Sequence, residues 1–101
     1  MVLPDGLTTI ESYAFQYCYY IERFVVPDSV VKIGRYALHV FQPSDMGHKS
    51  DCEYYFYAKT PPAIADDSDV YANRFTIYVP VGCKSAYVSA GYKENSIVEA
   101  L

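Results

Sequence analysis

The sequence predicts an α/β repeat protein, a short and strand-rich solenoid that ends in a C-terminal strand-helix-strand cap. Two similar segments, LPDGLTTIESYAF at 3–15 and VPDSVVKIGRYAL at 26–38, follow one another along the chain. The last third of the chain carries the signals of a strand, a helix and a second strand. With 51% hydrophobic and 20% charged residues, the 101-residue chain is expected to fold as a single globular domain, 1–101.

The repeat is the strongest of these signals. Aligning residues 2–15 with 25–38 gives six identities and three further positions that remain apolar. A fixed period in the low twenties is typical of solenoids, in which each unit buries its apolar face only against a neighbouring unit. We therefore expect residues 2–41 to form two repeats of about 23 residues, in which Ile10 and Ile33 stack.

Each unit is predicted to begin with a short strand and to continue with a turn. In the second unit, residues 21–26 have strand character, and alternation places Phe24 and Val26 on one face. Pro27 ends this strand because proline has no N–H to donate to the ladder. A helical or 3₁₀ turn then directs two apolar side chains of each unit inward: Ala37 and Leu38 in the second unit, Ala14 and Phe15 in the first.

The remainder of the chain is predicted to close the array. Residues 42–53 are polar and are expected to form an inserted loop, whereas 54–101 form a terminal repeat and the cap. The β-branched and aromatic run at 74–80 predicts a strand that ends at Pro80. A helix of about eight to ten residues follows and stops at Gly91. Its expected apolar face consists of Ala86, Tyr87 and Ala90.

The pattern LP(D)xLTxIxxYAFxxCxxIxxFxVPDSVxxIGxYAL resembles the BspA-like leucine-rich repeats of bacterial surface proteins, with Cys18 where that family commonly has cysteine. The segment YAKTPPAI…FTIYVPVGCKSAYVSAGYKENSIVEAL looks like the one that often closes such arrays. The chain departs from the pattern at Leu38, Phe41 and Tyr92, where Phe, Cys and Trp are usual. The resemblance implies a leucine-rich-repeat-like solenoid, a location at the cell surface or in secreted form, and a binding or adhesion role.

No catalytic or metal-binding constellation is predicted. The residue types that bind zinc are spread along the chain, at Cys18, His39, His48, Cys52 and Cys83. They lack the short paired spacing of a zinc site, and the flexible polar residues between His48 and Cys52 do not fix a base against a thiol. The acidic segment 66–73 lacks the glycine and late glutamate of an EF-hand. We therefore expect no enzyme activity, no metal and no cofactor.

The three cysteines are an odd number without a C-x-x-C pair, which argues against a disulfide framework. Two alternatives remain, namely free thiols throughout or one bridge plus a free thiol. Cys83 has two interpretations of its own. It lies at the expected helix start, where the dipole favours a thiolate, or it simply replaces a capping serine.

Tyrosine is the main indication of function. The chain has 12 tyrosines, and two clusters supply the candidate binding residues Tyr17, Tyr19, Tyr20, Tyr55 and Tyr57. Strand alternation sends Tyr55 and Tyr57 to the face opposite Tyr54 and Phe56. Exposed tyrosine suits protein or carbohydrate contact because its ring is rigid and amphipathic. The alternative is that these rings pack as an aromatic ladder along the solenoid surface.

Charge and hydropathy narrow the expected partners. A net charge of −4 without a basic cluster argues against nucleic acid, and no apolar run is long enough to predict membrane insertion. A protein or carbohydrate ligand, including one derived from a host, is expected. No preceding repeat covers Val2, Leu3, Leu7 and Phe15, which predicts upstream repeats or a homodimer through the N-terminal repeat. The alternative function is a purely structural solenoid terminator with no ligand of its own.

Overall fold

A computed structural model of the chain describes residues 2–15, 22–38, 52–65, 69–70 and 75–101. Within these residues, a two-stranded parallel sheet consists of β1 (Thr9–Ile10) and β3 (Lys32–Ile33). A four-stranded parallel sheet has the order β2 (Arg23–Val26), β4 (Cys52–Phe56), β5 (Phe75–Val79) and β6 (Ile97–Glu99). The helix α1 (Lys84–Ser89) and a 3₁₀ turn (Glu94–Ser96) connect β5 to β6. The chain is thus a small α/β domain with parallel strands.

The two sequence repeats pair in the predicted register. Ile10 lies opposite Ile33 between β1 and β3, and both side chains are buried. The same offset recurs in the larger sheet, where Val2 forms an isolated parallel bridge with Val25. Equivalent positions of the two repeats therefore lie side by side in both sheets, because each unit places its two extended segments at the same points of the repeat.

Side-chain hydrogen bonds connect the turns of the two repeats. The Ser29 hydroxyl donates to the Leu7 carbonyl at 2.7 Å and accepts the Gly6 N–H at 3.1 Å. Tyr13 and Tyr36, at equivalent positions, both adopt positive φ, and their ring centroids are 5.7 Å apart. These left-handed tyrosines were not expected from the sequence, since glycine and asparagine are the usual residues in that conformation.

The predicted inward turn of each repeat is found in the second repeat but only partly in the first. Ala37 and Leu38 are fully buried, as expected. Phe15 is partly buried and packs edge-on against Phe24 at 5.2 Å, whereas Ala14 is exposed. The difference has a simple cause. The turn that holds Ala37 lies between the first repeat and residues 69–70, while no described segment packs on the outer side of Ala14.

The core lies between the inner face of the larger sheet and the turns. Alternation in β4 buries Cys52, Tyr54 and Phe56, and the strand begins at Cys52, inside the segment that was expected to be a loop. Tyr54 stacks on Phe24 at 5.4 Å with nearly parallel rings. Buried neighbours from the other strands complete this layer: Val26 from β2, Ile77 and Val79 from β5, and Ile97 from β6.

The C-terminal elements follow the predicted order with one difference in length. β5 ends at Val79, directly before Pro80, which confirms that strand end. The helix α1 has six residues, fewer than expected, and Gly91 follows it with a φ of +103°. Tyr87 is its one fully buried residue, and Ala86 is exposed. Adjacent residues of an α-helix point about 100° apart, so Ala86 does not share the buried face of Tyr87.

Candidate functional site

The outer face of the four-stranded sheet carries a row of side chains in register. Val25, Tyr55, Tyr78 and Val98 lie opposite one another on successive strands. The neighbours of this row along β2, β4 and β5 are buried, so the row lies on the face away from the core. Arg23, Glu53 and Thr76 form a second row beside it.

Tyr55 is held from both sides on this face. Its ring stacks on Tyr78 of β5, with the ring centroids 4.8 Å apart, and the Arg23 guanidinium of β2 lies 5.4 Å from the Tyr55 ring centre. Arg23 also pairs with Glu53 at 3.3 Å, and the Tyr78 hydroxyl donates to Glu53 at 3.2 Å. Partial burial and the nearby Glu53 carboxylate raise the pKa of Tyr55. Both ring faces of Tyr55 are therefore occupied.

Tyr57 has a different environment. It follows β4 directly, and its N–H donates to the Val26 carbonyl at 3.3 Å, which fixes the backbone against β2. The side chain is 50% exposed. Its ring stacks on no aromatic ring within the described residues, and its hydroxyl makes no hydrogen bond there. The two tyrosines of this segment that leave the core thus differ, since Tyr55 is packed into the sheet face and Tyr57 is open.

Two shallow concavities are both lined by Tyr57 and Asp28. One has a volume of about 390 Å³ and reaches Val31, Lys59 and Thr60. The other has a volume of about 350 Å³ and reaches Val2 and Asp5. We call the surface formed by Asp28, Val31, Tyr57, Lys59 and Thr60 the Tyr57 edge. It lies at the carboxyl ends of β2 and β4, where the loops after both strands meet.

Charged side chains of the Tyr57 edge have no partner within the described part of the chain. Neither Asp28 nor Lys59 forms a salt bridge or a side-chain hydrogen bond there. This contrasts with Glu53, which is paired with Arg23 and with the Tyr78 hydroxyl. An unpaired carboxylate and an unpaired ammonium beside an open aromatic ring are groups able to bind a polar ligand.

Three buried tyrosines have structural roles. The hydroxyls of Tyr54, Tyr87 and Tyr92 donate to the carbonyls of Leu38, Ala58 and Pro62, respectively. Burial, as the largest cause, raises the pKa of both Tyr87 and Tyr92. Tyr92 occupies the position where the resembling family usually has Trp, and it packs edge-on against Tyr87 at 5.0 Å.

The two described cysteines, Cys52 and Cys83, differ in burial. Cys52 is fully buried, and burial raises the pKa of its thiol from 9.0 to about 11. Cys83 precedes α1, but its side chain makes no capping hydrogen bond. The Glu99 carboxylate accepts the Lys84 N–H at 3.1 Å and occupies the capping place that the sequence assigned to Cys83. Both thiols are free.

Several candidates from the sequence lie outside the described residues, namely Tyr17, Cys18, Tyr19, Tyr20, His39, Phe41 and His48. The described residues contain no group of three or more metal-ligating side chains. No helix among them is both long and apolar enough to cross a bilayer.

The sequence missed Tyr78, Arg23 and Glu53 as partners of Tyr55. The repeat period could have indicated Tyr78, because this residue follows Tyr55 by one repeat length and pairs with it across β4 and β5. The residues of the Tyr57 edge other than Tyr57 itself were also missed. They become neighbours only when the loops after β2 and β4 meet.

A comparison with protein-family models finds no match for this chain, and comparisons with curated proteins and with solved structures find none either. The resemblance to BspA-like repeats therefore rests on the motif residues of the sequence itself.

Proposed function

We propose that the chain is a non-enzymatic binding or adhesion module of a cell-surface leucine-rich-repeat protein, and that the Tyr57 edge is its contact surface. The observation that supports this most strongly is the open Tyr57 side chain, half exposed on a backbone held by β2. Large aromatic side chains in soluble proteins usually pack or pair, and exposed ones are enriched at binding surfaces. A ligand bound there would meet an open aromatic ring on a backbone that is held in place.

The proposed architecture is a BspA-like solenoid ending in a cap. Support comes from the constant offset between paired positions, which joins Ile10 to Ile33, Val2 to Val25 and Tyr54 to Ile77. The offset is longer between Phe24 and Tyr54, where the polar insertion 42–53 enters. In this proposal, α1 and β6 form the cap. β6 suits an end position because it is short and carries Glu99 on an edge strand.

Accessibility favours Tyr57 over Tyr55 as the contact residue. The Tyr55 ring is stacked against Tyr78 and covered by Arg23, so a ligand would have to break these contacts to reach a ring face. Tyr57 requires no such rearrangement. Binding at Tyr57 breaks no packing contact of its ring, and the entropy cost is limited to the two side-chain torsions of a tyrosine.

Retention on coated surfaces tests this function. Beads carrying the chain would be washed over collagen, laminin, mucin and yeast mannan, with Tyr57→Ala as the test variant and Tyr13→Ala as the control. Tyr13 is a matched control because it is similarly exposed, at 46%, and lies on the first repeat away from the Tyr57 edge. We expect retention on at least one surface that Tyr57→Ala abolishes and Tyr13→Ala preserves. Equal retention of all three proteins on every surface would contradict the proposal.

A structural terminator without a ligand is the second candidate. The stacked pair Tyr55–Tyr78 favours it, since this is the aromatic ladder that such a role predicts. The buried hydroxyl bonds of Tyr87 and Tyr92, which anchor the C-terminal segment, favour it as well. A folded chain that is retained on none of the four surfaces would support this candidate.

We also propose a homodimer through the N-terminal repeat, although fewer exposed residues support it than the sequence indicated. Of the four apolar residues expected to lack cover, Leu3 is buried and Leu7 and Phe15 are partly buried. Only Val2 is highly exposed. The proposal therefore depends on Val2 and on the edge of β1, which pairs only with β3 among the described strands.

A further inference from the structure

The two concavities beside Tyr57 share one ring and one carboxylate, and this arrangement restricts the chemistry of a ligand. The inference drawn from it rests on the proposed function of the Tyr57 edge. Each concavity combines apolar and polar lining: Val31 and Pro61 with Lys59 and Thr60 on one side, Val2 and Pro27 with Asp5 on the other. A ligand that fills both must offer apolar surface to the ring and hydrogen-bonding groups to its surroundings.

We propose that the Tyr57 edge binds a neutral oligosaccharide. The C–H face of a pyranose ring packs on an aromatic ring, and Tyr57 is the aromatic side chain of this surface that is open for such contact. Asp28 accepts hydrogen bonds only, and Lys59 donates them only. A sugar hydroxyl both donates and accepts, so the hydroxyls of a sugar in the concavity that Asp28 and Lys59 both line can bond to the carboxylate and to the ammonium.

Charge favours a neutral sugar over a charged one. Asp5 and Asp28 place two carboxylates at one concavity, where no basic side chain is among the lining residues. The whole chain also carries a net charge of −4, which repels acidic polysaccharides at moderate ionic strength. A cationic sugar would meet Lys59 in the other concavity.

A protein partner fits this surface less well. Cores of protein interfaces are depleted of charged residues, and a charge buried without a partner is costly. A protein segment lying over Tyr57 would have to supply a positive group for Asp28 and a negative group for Lys59 at matching positions. Sugar hydroxyls meet the same requirement without charge and remain partly hydrated in an open, shallow site.

The arrangement also favours an extended ligand. Tyr57 and Asp28 line both concavities, whose volumes are about 390 and 350 Å³. In this proposal an oligosaccharide contacts the lining residues of both concavities, whereas a single hexose contacts fewer of them. We expect oligosaccharides to bind at least tenfold more tightly than the corresponding monosaccharide.

Titration of the ¹⁵N-labelled chain with four neutral hexasaccharides tests this inference by amide chemical-shift changes. The probes are maltohexaose, cellohexaose, mannohexaose and chitohexaose, and each is also compared with its monosaccharide. We expect one or more probes to shift amides at residues 28–31 and 57–60. Tyr57→Ala should weaken that binding at least tenfold and Asp28→Asn several-fold, whereas Tyr13→Ala should leave it unchanged.

Two results overturn the inference. One is the absence of Tyr57-dependent shifts with all four probes, and the other is binding whose shifts lie elsewhere in the chain. The spectrum of each variant shows separately that it is folded, and Tyr57→Phe, which keeps the ring, should retain most of the affinity. If no probe binds but Tyr57-dependent retention on collagen or laminin persists, the carbohydrate inference fails and the proposed function stands. If neither the probes nor the coated surfaces show Tyr57-dependent binding, both the carbohydrate inference and the proposed function fail.

Discussion

Gly34→Ala tests the contact between the two repeats most sharply, because Gly34 lies directly against the backbone of the first repeat. A Cβ at this position would lie 2.5 Å from the Ser12 backbone nitrogen and 2.8 Å from Ser12 Oγ. The Gly34 N–H also donates to the Ile10 carbonyl at 2.7 Å. The added methyl group therefore cannot be accommodated unless the two repeats move apart. Overpacking of this kind costs about 1–3 kcal/mol.

The matched control is Glu11→Ala, at the equivalent position of the first repeat. Glu11 is exposed. A side chain fits at this position because no described segment packs on that side of the first repeat. Reduced chain entropy in the unfolded state favours Gly→Ala by about 0.4–1 kcal/mol, which leaves a net loss of roughly 0–2.6 kcal/mol. Because the nearest atoms to the added Cβ include backbone atoms that cannot rotate away, we expect a loss of about 1–2 kcal/mol. In this size range, that loss lowers Tm by roughly 4–16 °C.

Urea denaturation followed by circular dichroism measures both variants. We expect a lower midpoint for Gly34→Ala with an unchanged slope, and a midpoint for Glu11→Ala within error of the parent chain. A Gly34→Ala variant as stable as the parent, or more stable, would refute the close approach of the two repeats. The register between Ile10 and Ile33 would then need another explanation.

The remaining predictions concern two sets of hydrogen bonds and the pH dependence of stability. Ser29→Ala removes both hydrogen bonds to the first repeat and should cost about 1–2 kcal/mol, measured by urea denaturation. Glu99→Ala removes the acceptor at the start of α1 and should cost about 0.5–1 kcal/mol in the same assay. The pKa values of Tyr87 and Tyr92 are raised above 10, so the stability that they contribute is complete below pH 10 and decreases as pH rises further. In an alkaline titration followed by ultraviolet absorbance, these two tyrosines should therefore ionise only when the chain unfolds. Tyr92→Phe should make the free energy of unfolding depend less steeply on pH. Ionisation of all tyrosines in a chain that stays folded would contradict this prediction.

Local sequence rules predicted those parts of the fold that depend on repetition and on chain termination. The pairing of Ile10 with Ile33 follows from the period, and the ends of β2 and β5 follow from Pro27 and Pro80, which cannot extend a ladder. The pairing of β2 with β4 was not predicted. Its longer offset breaks the period, because the inserted segment lengthens that connection.

Within the candidate site, alternation predicted which tyrosines leave the core but not which are free. Tyr55 and Tyr57 have the same strand parity, and both lie on the outer side. Their difference arises from the neighbouring strands, because Tyr78 and Arg23 flank Tyr55, whereas the ladder ends before Tyr57. Such a distinction depends on contacts between distant segments, which a single sequence does not contain.

The proposed division of roles between Tyr55 and Tyr57 is tested most directly by measuring stability and surface retention for both alanine variants. Loss of the ring stack should cost Tyr55→Ala about 0.5–1.5 kcal/mol and lower its Tm by several degrees, with retention preserved at temperatures where it is folded. Tyr57→Ala should keep the parent Tm within about 1–2 °C, as for an exposed side chain, and lose retention. The opposite pattern, in which Tyr57→Ala is destabilised but retained and Tyr55→Ala is stable but not retained, would contradict the assignment of binding to the Tyr57 edge.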